Sequence, residues 1–150
     1  MLLVSGASIE DILEREGVFA SVTVGTSMRP LFKTRRDMVI LKKPLTPPKK
    51  YDVVLYKIGE KYVLHRIIAV KKAENMYVIR GDNTYKKEFV PKDKIIAVLD
   101  AFNRGGVRHN VTDFSYRLYS AVWNFLYPLR RIAYPVFQAL RRLIKGKNEG

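Results

Sequence analysis

Cysteine is absent from the 150-residue chain, so no disulfide staples the fold and no thiolate can hold a metal. Histidine occurs only twice, at His65 and His109, too few for a histidine-rich zinc site. No metal and no cofactor is therefore expected. Acidic residues are scarce, 14 against 28 lysines and arginines, which leaves a formal net charge of +14. An excess of that size implies an anionic neighbour. No apolar run reaches the roughly 18–20 residues that a membrane-spanning helix needs. Residues 1–4 are too short an apolar run for an export leader, lack a basic flank, and lead into Glu10, Asp11, Glu14 and Glu16. These absences together predict a cytoplasmic location. Internal repeats and low-complexity tracts are missing as well. Neither an aromatic-basic RNA motif nor a recognition helix is visible, so the charge is expected to meet a membrane surface rather than nucleic acid.

What remains is apolar enough, at 47% hydrophobic residues, for one domain with a core. It divides into three parts. Residues 1–17 hold a short helix, with Ser8 as N-cap, acids in its first turn, Ile9, Ile12 and Leu13 on one face, and Gly17 as its stop. It is expected to lid a sheet edge. Residues 18–103 read as a compact, mainly β barrel or sandwich. Short apolar runs at 18–24, 37–42, 52–57, 62–71, 76–80, 88–91 and 95–99 are separated by turn signals. Asn103-Arg104-Gly105-Gly106 reads as the exit from it.

Residues 104–150 form a basic, amphipathic helical tail, kinked or split by Pro128 and Pro135. Leu118, Val122, Phe125, Leu129, Ile132, Val136 and Leu140 share one face of it, opposite Arg117, Arg130, Arg131, Arg141 and Arg142. Spanning a bilayer with Arg130 and Arg131 inside would cost roughly 2.5–3.5 kcal/mol for each central arginine. Residues 114–145 are therefore expected to lie on an anionic membrane surface. The alternative is that their apolar face packs on the β domain or on another subunit.

The candidate chemistry starts at Gly25-Thr26-Ser27-Met28-Arg29-Pro30, which follows the β-branched Val22-Thr23-Val24. Ser27 is expected at a strand end or in a tight turn, with its hydroxyl presented. His65 lies in a strand pattern, Tyr62-Val63-Leu64-His65-Arg66-Ile67-Ile68, with Val63 and Ile67 on its own face. Apolar neighbours would hold it neutral and able to accept a proton. Arg66 is expected to point the other way, as an exposed charge. Asp82, in Gly81-Asp82-Asn83, is either a turn aspartate bonding its own backbone or the group that orients the imidazole.

In order and spacing, the Ser27 box, Asp52-Val53-Val54-Leu55-Tyr56, Val63-Leu64-His65-Arg66-Ile67 and Gly81-Asp82-Asn83 resemble the type I signal peptidases and the autoproteolytic domains of SOS-response repressors. The likeness covers residues 18–100. It implies a signal-peptidase-type β domain in which Ser27 is the nucleophile, in the turn Gly25-Thr26-Ser27. The histidine-using branch of endoplasmic-reticulum and archaeal-like enzymes places its base at His65 and its Gly-Asp-Asn aspartate at Asp82. Glu88 stands where that branch has a further supporting acid. Gly25 departs from the serine that signal peptidases usually carry there, leaving the Ser27 N–H as the main oxyanion donor. No membrane anchor is read ahead of the β domain, a place the C-terminal tail could fill, and no helix-turn-helix precedes it.

The expected function is a serine endopeptidase that cuts an extended peptide or precursor protein by a Ser-His mechanism, peripheral to the inner face of the membrane. The rival is a non-catalytic peptide- or membrane-binding module on the same fold.

Overall fold

The computed structural model describes residues 8–133. Val136, Leu140, Arg141, Arg142 and the expected break at Pro135 lie outside them, as do residues 1–7. The chain is mainly β. Eight strands form one antiparallel sheet, flanked by a helix near each end of the described chain.

Helix α1 (Ile9–Glu16) forms as its caps dictate. The Ser8 hydroxyl accepts from the Asp11 N–H at 3.1 Å, and Gly17 closes the helix at φ +72° by donating to the Leu13 carbonyl. Ile9 and Leu13 are buried, packed over strand β1 (Val18–Val22) at the sheet edge. The strands β2 (Met38–Lys42), β3 (Val53–Ile58), β4 (Lys61–Lys71), β5 (Met76–Arg80), β6 (Glu88–Pro91), β7 (Ala97–Arg104) and β8 (Val107–Asn110) follow. They run in the order β1-β2-β7-β3-β4-β5-β6, with β8 also paired to β7.

Strand β3 shows how the sheet serves two cores. Val53, Val54, Leu55 and Tyr56 are all buried, because alternate side chains enter opposite faces. Val53 and Leu55 join Ile9, Leu13, Phe32, Leu41 and Leu99, whereas Val54 and Tyr56 join Ile67, Tyr77, Ile79 and Val90. The same alternation on β4 sets His65 opposite Val54 and Arg66 opposite Val53. Neighbouring residues of one strand therefore serve different faces.

The exit expected at residues 103–106 is a hairpin turn instead. Gly105 and Gly106 both take positive φ, +58° and +88°, as a tight two-residue turn requires, and they join β7 to β8. The β domain thus extends to Asn110 rather than ending at residue 103.

Helix α2 (Phe114–Phe125) lies across the Arg66 face of the sheet. It breaks at Leu126 and helix resumes over residues 127–133. Pro128, with no N–H to give the preceding turn, accounts for the expected break. Tyr116 and Ser120 are buried and Tyr119 and Trp123 half-buried against the domain, so α2 docks through a polar and aromatic face. The apolar face, with Leu118, Val122 and Phe125, is the one left exposed. Among the described residues no helix is long and apolar enough to cross a membrane.

Candidate active site

Ser27 sits in a turn that leaves β1, as expected, and the turn is tied down on three sides. The Thr23 N–H bonds the Asp37 carbonyl at 3.1 Å, the Gly25 N–H bonds Thr34 Oγ1 at 3.0 Å, and the Met28 and Phe32 side chains are buried in the core below. The Arg29–Pro30 peptide bond is cis. Gly25 has φ +101°, a conformation that strains any residue with a Cβ. That backbone, rather than lack of room, explains glycine there, since nothing stands within 4 Å of an added Cβ.

The Gly81-Asp82-Asn83 segment grips this turn through its backbone. The Asn83 N–H donates to the Ser27 carbonyl at 2.7 Å, and Asn83 Nδ2 donates to the Thr26 carbonyl at 3.2 Å. Gly81 permits the approach. A Cβ there would stand 2.7 Å from the Ser27 carbonyl oxygen and 3.0 Å from His65 Nε2. The Ser27 turn and the imidazole thus meet across a position that only glycine leaves open. Among the described residues no hydrogen bond joins Ser27 Oγ to His65; in serine hydrolases such bonds often tighten only around substrate.

The far side of the imidazole is fully engaged. His65 Nδ1 lies 3.1 Å from Glu88 Oε2 and 3.2 Å from the Tyr56 hydroxyl, and that hydroxyl donates to Glu88 as well. A carboxylate can only accept, so it fixes the proton on Nδ1 and leaves the lone pair on Nε2, the atom beside Gly81 and Ser27. Burial holds the His65 pKa below its ordinary 6.5, with Glu88 pulling the other way. Burial and Glu88 both push the Tyr56 phenol up, so it stays a donor.

Asp82 does not touch the imidazole, which corrects its reading as the orienting acid. Its oxygens receive Arg66 Nε and Nη2, each at 2.8 Å, and the Tyr119 hydroxyl at 3.0 Å. The reason lies in strand alternation: Arg66 and Asp82 belong to the α2 face, and His65 and Glu88 to the other. Arg66 does point away from His65, but as a wholly buried group rather than an exposed charge. Its Nη1 donates to the Tyr51 carbonyl and Ser120 Oγ, both at 2.8 Å, and to the Tyr116 hydroxyl at 3.3 Å. Burial works against its charge, yet Asp82 and the Tyr116 hydroxyl together outweigh burial and the guanidinium pKa is raised. The main chain of Asp82 is held too, its carbonyl accepting from Trp123 Nε1 at 2.9 Å and Arg130 Nη1 at 3.1 Å.

The structure therefore brings Ser27, His65 and Glu88 to one place and keeps Asp82 one layer behind. The role of Tyr56, the burial of Arg66, the closeness that Gly81 allows and the α2 groups that hold Asp82 are visible only in the structure. The one available signal was an arginine inside an otherwise apolar strand, which needs a buried acid to accompany it. Among the described residues no cluster of histidine and carboxylate side chains is placed to hold a metal. No protein-family model matches the chain, and no curated protein matches it either.

Arg66→Met leaves Asp82 buried without its cation, and a stability loss of about 3–5 kcal/mol is expected in urea unfolding. Adding Asp82→Asn to that variant should recover part of the loss. Gly81→Ala forces the Ser27 backbone or His65 to move, and a loss of about 1–3 kcal/mol is expected by the same measurement. A neutral result would mean the two groups are held less closely.

Proposed function

We propose that the protein is a serine endopeptidase with Ser27 as nucleophile, His65 as general base and Glu88 as the group that orients the base. The observation that carries this reading is the two-sided environment of one imidazole. A carboxylate stands on Nδ1, and the Gly81 space shared with the Ser27 turn lies on Nε2. Neutral His65 takes the Ser27 hydroxyl proton on Nε2 as Oγ attacks the scissile carbonyl carbon. The imidazolium that forms is stabilised by Glu88. In this mechanism the Ser27 backbone N–H is the donor to the developing oxyanion, with no side chain at Gly25 to assist. His65 then returns its proton to the leaving amine as the C–N bond breaks. Water, deprotonated by the same imidazole, next attacks the acyl-enzyme; the imidazolium returns that proton to Ser27 Oγ as the ester C–O bond breaks, and the acyl product leaves as an acid.

In this reading the fold is a signal-peptidase-type β domain, with Asp82 as a positioning residue acting through the backbone of its neighbours. The substrate is an extended peptide or precursor protein. The place of action is the cytoplasmic side of an anionic membrane, in keeping with the +14 charge.

Cleavage of a mixed peptide library with lipid present, read by mass spectrometry, tests the activity. Cuts should appear with the native chain and vanish in both Ser27→Ala and His65→Ala. Folded native protein that cuts nothing would favour the binding-module alternative. The rate has a distinctive pH dependence. Because only neutral His65 is a base and burial lowers its pKa, kcat/KM should rise with pH with its midpoint below 6.5. Glu88→Gln removes a group that raises that pKa, so the midpoint should move further toward acid while the plateau falls about a hundredfold. A midpoint moving toward alkali would assign Glu88 a different role.

The same depressed pKa affects stability. Between the folded pKa and the ordinary 6.5, the unfolded chain binds the His65 proton and the folded chain does not. The His65 contribution should be complete above pH 6.5 and fall as pH drops through that window, as acid-range unfolding curves of the native chain and His65→Gln would reveal.

A further inference from the structure

Helix α2 carries two opposed faces with different partners. One clamps Asp82 and Arg66. Diametrically opposite, Phe114, Leu118, Ala121, Val122 and Phe125 form a continuous stripe at helical spacing. Phe114 and Phe125 are 78% and 81% exposed, and after the break Leu129 and Ile132 are 65% and 70% exposed. Exposure of that many large apolar side chains on one surface marks an interaction site.

A cavity of about 450 Å³ opens along the flank of this stripe, between α2 and the sheet. Lys49, Lys50 and Arg117 line it over an apolar floor that includes Leu99 and Val111. Among the described residues no salt bridge takes any of those three head groups. Asp52 is the one acid on the wall, its carboxylate accepting from the Lys49 N–H at 2.7 Å. Ala121 lines the cavity and belongs to the stripe, so the two features are continuous.

We infer that the stripe and this cationic cavity together form a docking surface for an anionic phospholipid bilayer. The apolar side chains enter the acyl boundary, and the cavity receives a phosphate-bearing headgroup. A bilayer offers these two chemistries in adjoining layers, apolar beneath anionic, as the surface does in reverse sign. A second copy of the chain would bring another net charge of +14 against the same cations, which disfavours self-association there. The inference rests on the membrane location proposed for the enzyme, and it is independent of the catalytic assignment because binding needs no turnover. The surface also touches the site from behind. Tyr51 and Ser120, on the cavity wall, are acceptors of Arg66, which holds Asp82.

The test is flotation of the full chain with phosphatidylcholine vesicles, with and without phosphatidylglycerol. Two surface variants accompany it: Leu118→Ser/Phe125→Ser for the stripe and Lys49→Gln/Lys50→Gln/Arg117→Gln for the cavity. Their thermal unfolding midpoints, compared with the native chain, control for folding. Native protein should float only with phosphatidylglycerol. The cavity variant should partition about a hundredfold more weakly, as three surface cations at about 1 kcal/mol each imply, and the stripe variant should lose at least tenfold. Native protein that does not float overturns the membrane location and this surface together. Native protein that floats while both variants float equally well overturns this surface alone. A stable dimer that the stripe variant abolishes and phosphatidylglycerol leaves intact would assign the stripe to a second copy instead.

Discussion

The buried ion pair between Arg66 and Asp82 is the constraint on which the candidate site depends. Taking both charges out of water is costly, and the cost is offset only because every polar atom finds a partner. Asp82 accepts from Arg66 twice and from Tyr119, while Arg66 also reaches Tyr51, Tyr116 and Ser120. With Asp82 fixed in side chain and carbonyl, Gly81 and Asn83 on either side are fixed too. Asn83 then holds the Ser27 carbonyl at 2.7 Å, and Gly81 lets His65 approach. A buried pair of this kind contributes position more than stability. Here it sets where the Ser27 turn stands.

Strand β4 separates two tasks by the simplest device a sheet has. His65 and Arg66 are neighbours in sequence, and the pleat sends them to opposite faces. On one face a desolvated imidazole meets Glu88 and Tyr56, an arrangement suited to moving a proton. On the other a desolvated guanidinium meets Asp82 and α2, an arrangement suited to holding a loop still. Two carboxylates in nearby loops and strands thus take different work from the face each one reaches. Helix α2 then ties the second face to the molecule's exposed apolar surface.

Much of this was legible in the residues. Helix α1 followed from Ser8 and Gly17, and most strands followed from apolar runs between turn signals. The turn at Ser27 followed from Gly25 to Pro30. Three features were not legible, each for a physical reason. Gly105-Gly106 reads equally well as a domain exit or a tight hairpin, and pairing across β7 and β8 decides it. The assignment of Asp82 or Glu88 to the imidazole depends on which face each reaches, which spacing along the chain does not specify. For the tail, the amphipathic pattern was plain, and of its two readings the alternative, docking on the β domain by the apolar face, fails at Leu118, Val122 and Phe125. Tyr116, Tyr119, Ser120 and Trp123 find hydrogen-bond and ring partners on the domain, so the polar-aromatic face docks and the apolar stripe stays outside.

The proposed mechanism stands on one relation: His65, oriented by Glu88, makes Ser27 a nucleophile. Intact-protein mass spectrometry after exposure to a fluorophosphonate, which reacts preferentially with activated serines, tests it without any knowledge of the substrate. A single adduct mapping to Ser27, lost in His65→Ala and slowed in Glu88→Gln, is the predicted result. No adduct, or one that forms equally well without His65, would contradict it.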